Sequence, residues 1–344
     1  MPATRLPLPH FGNPSPRFIR SGLVLLLAAG LASAAARADC KGPEELESAV
    51  QTHPSVDAWA ELGNWFGQQG NFACAASAFQ AAVRLQPDSA QLSYLLGLAY
   101  FEAEDLHSAV PALQNSIHND GTALRPHLLL ATIDMRLGNL KDASPEWSEA
   151  LALDPANAMA LHGLSRCHVA LGDFSSELDL LHNATLDADL SVDLGTAYMG
   201  LGRYDDVIDT LSGVVKTLPA ADPQSALAHA LLAWALLMEG QPADALPEAQ
   251  AAVGAAATLP LAQISLGRAL VDTGDAPAAV PVLEAALKVD AKNLETHLQL
   301  ARAYAETGRG PDARRERLVC LQMMAAPVRP TTVTGPHQEA APAH

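Results

Sequence analysis

The chain has 344 residues, of which 49% are apolar but only 5% aromatic, and its formal charge at pH 7 is −17. Length alone allows two or three ordinary domains, while a core drawn mainly from Ala and Leu suits close helix packing, and strand-like runs of β-branched and aromatic residues are almost missing. So acidic a chain is repelled by phosphate backbones and anionic lipid surfaces, which excludes nucleic acid as the expected partner.

The N-terminal 38 residues read as a signal peptide. Arg17 and Arg20 form a positive start, Leu23 to Ser33 (LVLLLAAGLAS) supply a short apolar stretch, and Ala36-Arg37-Ala38 places small residues before a cleavage point at Asp39. The stretch falls short of the ~20 residues of a comfortable membrane span. The expected location is therefore periplasmic or secreted, with an uncleaved N-terminal membrane anchor as the alternative. Asp39 before Cys40 lacks the small side chain that a lipid-attachment site requires. No later segment is apolar enough to span a bilayer, so no membrane span is expected after cleavage. The leader holds four basic and no acidic residues, and its loss brings the charge to about −21. Residues 39–55 read as an N-terminal capping segment, with a short helix over Pro43 to Gln51.

From Trp59 the chain repeats itself. Trp59-x-x-Leu62-Gly63-x-x-Phe66 is followed by Ala75, Phe79, Ala82 and Pro87. Leu96-Gly97-x-x-Tyr100, Ala109, Leu113 and Ser116 return 34 residues later, and Leu130, Ala131, Gly138, Ala143, Trp147, Ala150 and Pro155 one period further on. Leu164, Gly172, Leu181 and Ala184 mark a fourth unit. Leu194-Gly195-x-x-Tyr198, Gly202, Leu211 and Pro219 mark a fifth, about four residues early. Leu232-Ala233, Gly240, Ala245 and Ala252 mark the sixth, Leu266-Gly267, Gly274, Ala279, Leu283 and Ala286 the seventh, and Leu300-Ala301-x-x-Tyr304, Gly308 and Ala313 the eighth. Each slot has a physical reason. Leu and the aromatic share one face of a first helix. The small residue beside Leu admits a second helix, and the turn glycine accepts positive φ where the first helix ends.

This pattern resembles the tetratricopeptide repeat (TPR) family, over roughly residues 56–325, in an exported bacterial form. The resemblance implies an all-α fold, an α-α superhelix or solenoid of about eight helix-turn-helix repeats. The units fall at 56–89, 90–123, 124–157, 158–187, 188–221, 226–259, 260–293 and 294–325, each able to bury its apolar face only against its neighbours. Glu177 stands in an Ala slot of the fourth unit, whose link to the fifth is short, so this joint is expected to be the weakest. Arg317 and the basic run from Arg314 read as a solvated closing cap. Residues 326–344, rich in Pro, Thr and Ala, read as a disordered tail.

Cys167 and Cys320 read as small buried residues. Cys40 and Cys74 both lie at the N-terminal end of a chain expected in an oxidising compartment, and a disulfide between them would staple the leading segment to the first repeat. No metal-binding, phosphate-loop or nucleophile-elbow pattern appears. His107, His118, His127, His162, His168, His182, His229 and His297 are scattered and read as surface or rim residues. No catalytic, cofactor or metal site is expected, and the chain is not expected to be an enzyme.

In TPR proteins the first helices line the concave face and partners usually bind there. Mapped by slot, that face offers Tyr94, Leu98 and Phe101 in the second repeat, Arg125, Leu128, Met135 and Arg136 in the third, and Arg166 in the fourth. Met199 follows in the fifth, Trp234, Leu237 and Met238 in the sixth, Arg268 in the seventh and Arg302 in the eighth. Aromatic and Met side chains anchor partners or repack around them, and arginine on an apolar wall suits a carboxylate. The competing view is that a tight superhelix buries these groups against one another. The functional expectation is an exported scaffold holding a protein or peptide in its groove. An assembly factor of an envelope or secretion complex, working through convex or terminal surfaces, is the alternative, and an enzyme or accessory subunit is a distant third.

Overall fold

The computed structural model describes residues 40–325. The expected signal segment and C-terminal tail lie outside the described residues. Among these residues there are seventeen α-helices and no strand. After α1 (Glu44–Thr52) come α2 (Val56–Gln68), α3 (Phe72–Leu85), α4 (Ala90–Glu102), α5 (Leu106–Asn119), α6 (Leu124–Leu137), α7 (Leu140–Leu153), α8 (Ala158–Leu171), α9 (Phe174–Leu181) and α10 (Ala188–Gly200). They are followed by α11 (Tyr204–Val214), α12 (Ser225–Met238), α13 (Pro242–Ala255), α14 (Pro260–Asp272), α15 (Ala276–Val289), α16 (Leu294–Glu306) and α17 (Gly310–Ala325). The chain divides after Gly202 into two compact units, the first carrying α1 to α10 and the second α11 to α17.

Local chemistry sets the helix ends. Side chains of Ser55, Ser89, Asp105, Asn157, Asp187 and Asn293 accept a backbone N–H of the first turn, each such cap being worth about 1 kcal/mol. At the turn inside the repeats the backbone becomes left-handed at Gly138, Gly172, Gly240, Gly274 and Gly308, among others. In the second repeat that slot holds Glu104, the non-glycine residue with positive φ (59°), a conformation costing about 1–2 kcal/mol with a Cβ present.

Within each of the two compact units consecutive helices pack on one another, first helix on second and second on the next first. The repeated small residue makes this possible. A Cβ at Gly97 would lie 2.6 Å from Leu113, and one at Gly267 would lie 2.3 Å from Leu283. Leu113 and Leu283 are themselves fully buried, and truncating either to Ala would cost about 2–5 kcal/mol.

Three departures from the sequence-based expectations carry physical lessons. His127 and His297 are buried and His229 is half-buried, not rim residues. Each places Nδ1 on a glutamate of the second helix in its own repeat, His127 on Glu146 at 2.7 Å, His229 on Glu248 at 2.6 Å and His297 on Glu316 at 2.7 Å. His127 and His297 also direct Nε2 at the carbonyls of Gly121 and Ala291, both at 3.2 Å.

The second departure is at the joint expected to be weak. Glu177 is wholly buried, and the Ser165 hydroxyl donates to it at 2.5 Å, tying the eight-residue α9 to α8. The division of the chain falls later, after α10. The third concerns the closing cap, because α17 exposes Leu318, Leu321 and Met324 at 55–66% alongside its arginines.

At the other end the structure joins Cys40 to buried Cys74 by a disulfide, closing a separation of 34 residues. A loop of that length is worth about 3–4 kcal/mol in the chain-entropy account. Cys167 and Cys320 are buried free thiols, and burial pushes Cys167 up to about 11, so neither is a ready nucleophile.

Candidate protein-binding face

In the first unit, the first helices α2, α4, α6 and α8 present two open cavities. One, of about 460 Å³, lies between α2 and α4 and is lined by Asn64, Gln68, Phe72, Phe79, Leu95, Leu98 and Glu102. The other, of about 380 Å³, is lined by Thr132, Met135 and Arg136 of α6, Trp147 of α7, and Met159, His162, Gly163 and Arg166 of α8.

The floor of the second cavity depends on a glycine. A Cβ at Gly163 would lie 2.3 Å from the Trp147 ring, so only its absence lets the indole sit there. The Trp147 Nε1–H points at the Met135 sulfur, 3.2 Å away. Met159 is 60% exposed at the rim. Arg136 reaches Glu104 at 2.6 Å and lies over the Phe101 ring at 5.3 Å. His162 faces Asp187 at 2.9 Å. Arg166 is exposed and forms no ion pair among the described residues.

Behind α8 sits a buried polar cluster. The single hydroxyl hydrogen of Ser165 is given to Glu177, yet Asp193 Oδ2 also lies 3.1 Å from that hydroxyl. Both contacts are satisfied together when Asp193 itself carries a proton. Burial, with Glu177 adding repulsion, pushes the Asp193 carboxyl up to about 6. His168 Nδ1 lies 3.4 Å from Glu177 Oε2, and neither atom has a hydrogen-bond partner.

The remaining sequence-selected residues divide into available and consumed. Leu98 lines the first cavity and Met135 the second. Tyr94 and Phe101 pack against the Leu113 and Ile133 core, Leu128 against that of Trp147. Arg125 is exposed. Met199 and Leu237, placed on the binding face by their slots, are each only 3% exposed. Both are core residues and are withdrawn from that face.

In the second unit α12 packs directly on α14, and α14 on α16. Arg268 there lies over Trp234 at 5.4 Å, meets Asp272 at 3.4 Å and Glu295 at 3.5 Å, and points an N–H at the Met238 sulfur. Arg302 meets Asp272 at 2.8 Å. These groups satisfy one another, as expected if neighbouring first helices close together. Slot mapping missed Gly163, which occupies no signature position, and Met159, which stands 34 residues after the selected Arg125 in the same slot. The twin spacing of Trp147 and Gly163, on consecutive repeats, was the available signal.

Among the described residues no group of three or more His, Cys, Asp or Glu could hold a metal ion. None of their helices is long and apolar enough to cross a membrane.

A stack of helix hairpins with an open apolar face and few unsatisfied charges defines a repeat scaffold for protein interaction. The tetratricopeptide repeat family model matches residues 60–123, 128–189 and 192–260, and a second model of that description matches 270–316. The chain belongs to the tetratricopeptide repeat family. Among solved structures it is similar to a tetratricopeptide repeat protein from Parabacteroides merdae ATCC 43184, at 15% identity over 72% of this chain and 98% of that one, with a TM-score of 0.43. It is also similar to MamA of MSR-1, at 18% identity over 48% and 94% of the two chains (TM-score 0.40). A third is YrrB, a TPR protein with an unusual peptide-binding site, at 18% identity over 62% and 92% (TM-score 0.33). No curated protein matches the sequence.

Proposed function

We propose that this chain is an exported scaffold that holds a segment of a partner protein on the first-helix face of its first unit. The observation that carries the reading is the pair of open cavities on α2, α4, α6 and α8, both with apolar lining, the one between α2 and α4 bordered by Asn64, Gln68 and Glu102 and the one between α6 and α8 by Arg136 and Arg166. Such lining suits large apolar anchors with a polar rim. Export is supported by the leader sequence and by the Cys40–Cys74 bond, which persists in oxidising compartments. Photo-crosslinking residues placed at Leu98 and Met159 should capture a partner in the native envelope fraction. The same residues at Gln114 and Glu149, exposed on the second helices α5 and α7, should not. Capture from the second pair alone would refute the reading.

One observation favours action through a terminal surface. Leu318, Leu321 and Met324 form an exposed apolar row along α17, of the kind that marks association sites. If the purified chain sediments as an oligomer that Leu321→Glu dissolves, the terminal reading gains. A monomer in both cases removes it.

A further inference from the structure

Three arginines of this molecule are arranged alike. Arg136 lies over Phe101 and reaches Glu104. Arg268 lies over Trp234 and reaches Asp272 and Glu295. Arg309 lies over Tyr304 at 4.1 Å and reaches Glu284 at 3.4 Å. In each case an aromatic ring backs the guanidinium and a carboxylate takes its N–H groups, a geometry that the planar, weakly hydrated guanidinium favours.

Arg166 differs from these three, because among the described residues it neither lies over a ring nor forms an ion pair. It shares a cavity with the indole of Trp147, and no carboxylate of the described residues forms an ion pair with it. The chain holds 38 acidic residues against 21 basic ones, and Arg136, Arg203, Arg268, Arg302, Arg309 and Arg315 are all ion-paired, whereas Arg166 is among those left available, and it lines a cavity. The neighbouring His162 has its acid in Asp187. Gly163 lets the Trp147 indole pack directly against α8, and the exposed Met159 gives the cavity an apolar rim.

Resting on the binding face proposed above, we infer that the cavity between α6 and α8 takes an acidic side chain of a partner segment on Arg166, with that segment's adjacent apolar residue seated against Met159 at the cavity rim. The ligand class is an internal acidic-apolar sequence in a protein, recognised by a side-chain carboxylate. Arg136 is the lesser contact, because Glu104 already occupies it.

The test uses the full chain with its disulfide intact and fluorescein-labelled, C-terminally amidated twelve-residue peptides carrying a Leu-Phe pair followed by two Glu, two Gln or two Lys. Anisotropy should show the Glu peptide binding about ten-fold tighter than the Gln peptide, an order expected for one charge-assisted contact, and the Lys peptide weaker still. Arg166→Ala and Arg166→Gln should each erase the preference for Glu, bringing the affinities of the Glu and Gln peptides together. Arg84→Ala, on α3, should alter neither. Glu104→Gly should strengthen Glu-peptide binding about two- to three-fold by releasing Arg136. Equal binding of Glu and Gln peptides, or a preference surviving loss of Arg166, overturns the assignment. If both peptides bind equally and Leu98→Asp abolishes both, the face stands and the Arg166 contact falls. If no peptide binds, the assignment falls and the face is judged by crosslinking alone.

Discussion

The two compact units share a repeat pattern and treat their charges in opposite ways. In the second unit Arg268 and Arg302 converge on Asp272, and His297 and Glu316 bury each other. In the first, Arg166 has no ion pair among the described residues, while Asp193 is crowded beside Glu177 around one serine hydroxyl. Equal slots therefore do not imply equal roles. A charged group near the core stabilises when its partner is in place and costs free energy when it is not, so the charges on α14 and α16 of the second unit are closed off while those around α8 of the first are not. Unmet chemistry on an open face is what a partner can complete.

The comparison breaks most readily at His297. His297→Ala removes the 2.7 Å contact to Glu316, leaving it only Arg315 at 3.5 Å, and should destabilise the second unit by about 2–3 kcal/mol, read as a fall in denaturant midpoint with faster hydrogen exchange in α16 and α17. A loss below ~1 kcal/mol would mean that the pair does not hold the unit together.

In the first unit the opposite sign is expected. The ordinary carboxyl value of Asp193 is 3.8 and its folded value about 6, so the folded chain binds the proton more tightly than the unfolded one. This stabilisation is present at acid pH, is lost as pH rises through that interval, and levels off above it. Asp193→Asn should abolish the slope and stabilise the unit by about 2–3 kcal/mol at pH 7. Unfolding curves from pH 4 to pH 8 that show no slope in the parent chain would refute the arrangement.

A paired test sharpens the contrast between arginines. Arg268→Ala uncovers Trp234 and leaves Asp272 and Glu295 with fewer partners, at a cost of about 1–2 kcal/mol. Arg166→Ala should change stability by less than ~0.5 kcal/mol. Equal losses would erase the distinction between a consumed arginine and an available one. The smallest effect is expected at the left-handed turn, where Glu104→Gly should gain about 1 kcal/mol in melting experiments by relieving positive φ, because its exposed pair with Arg136 returns little.

Much of this molecule was legible from spacing. A period of 34 residues with Leu, a small residue and an aromatic on one stripe permits little besides stacked helix hairpins, and the turn glycines mark where first helices end. The histidines were misread although their spacing held the answer. His127, His229 and His297 stand whole repeats apart, each with a glutamate 19 residues later, a signal visible only when polar residues are aligned by slot as apolar ones were.

By itself the sequence determined the helices, their order and their pairing, because those follow from short-range periodicity and from small residues that let helices touch. Tertiary structure alone decided which faces stay open. Met199 and Leu237 disappear into the core while Met159 does not, and Arg268 pairs with two acids where Arg166 forms no ion pair among the described residues. The physical reason is that exposure and charge pairing depend on how closely successive first helices approach and on what the neighbouring repeat presents. Neither quantity is encoded in the slot a residue occupies.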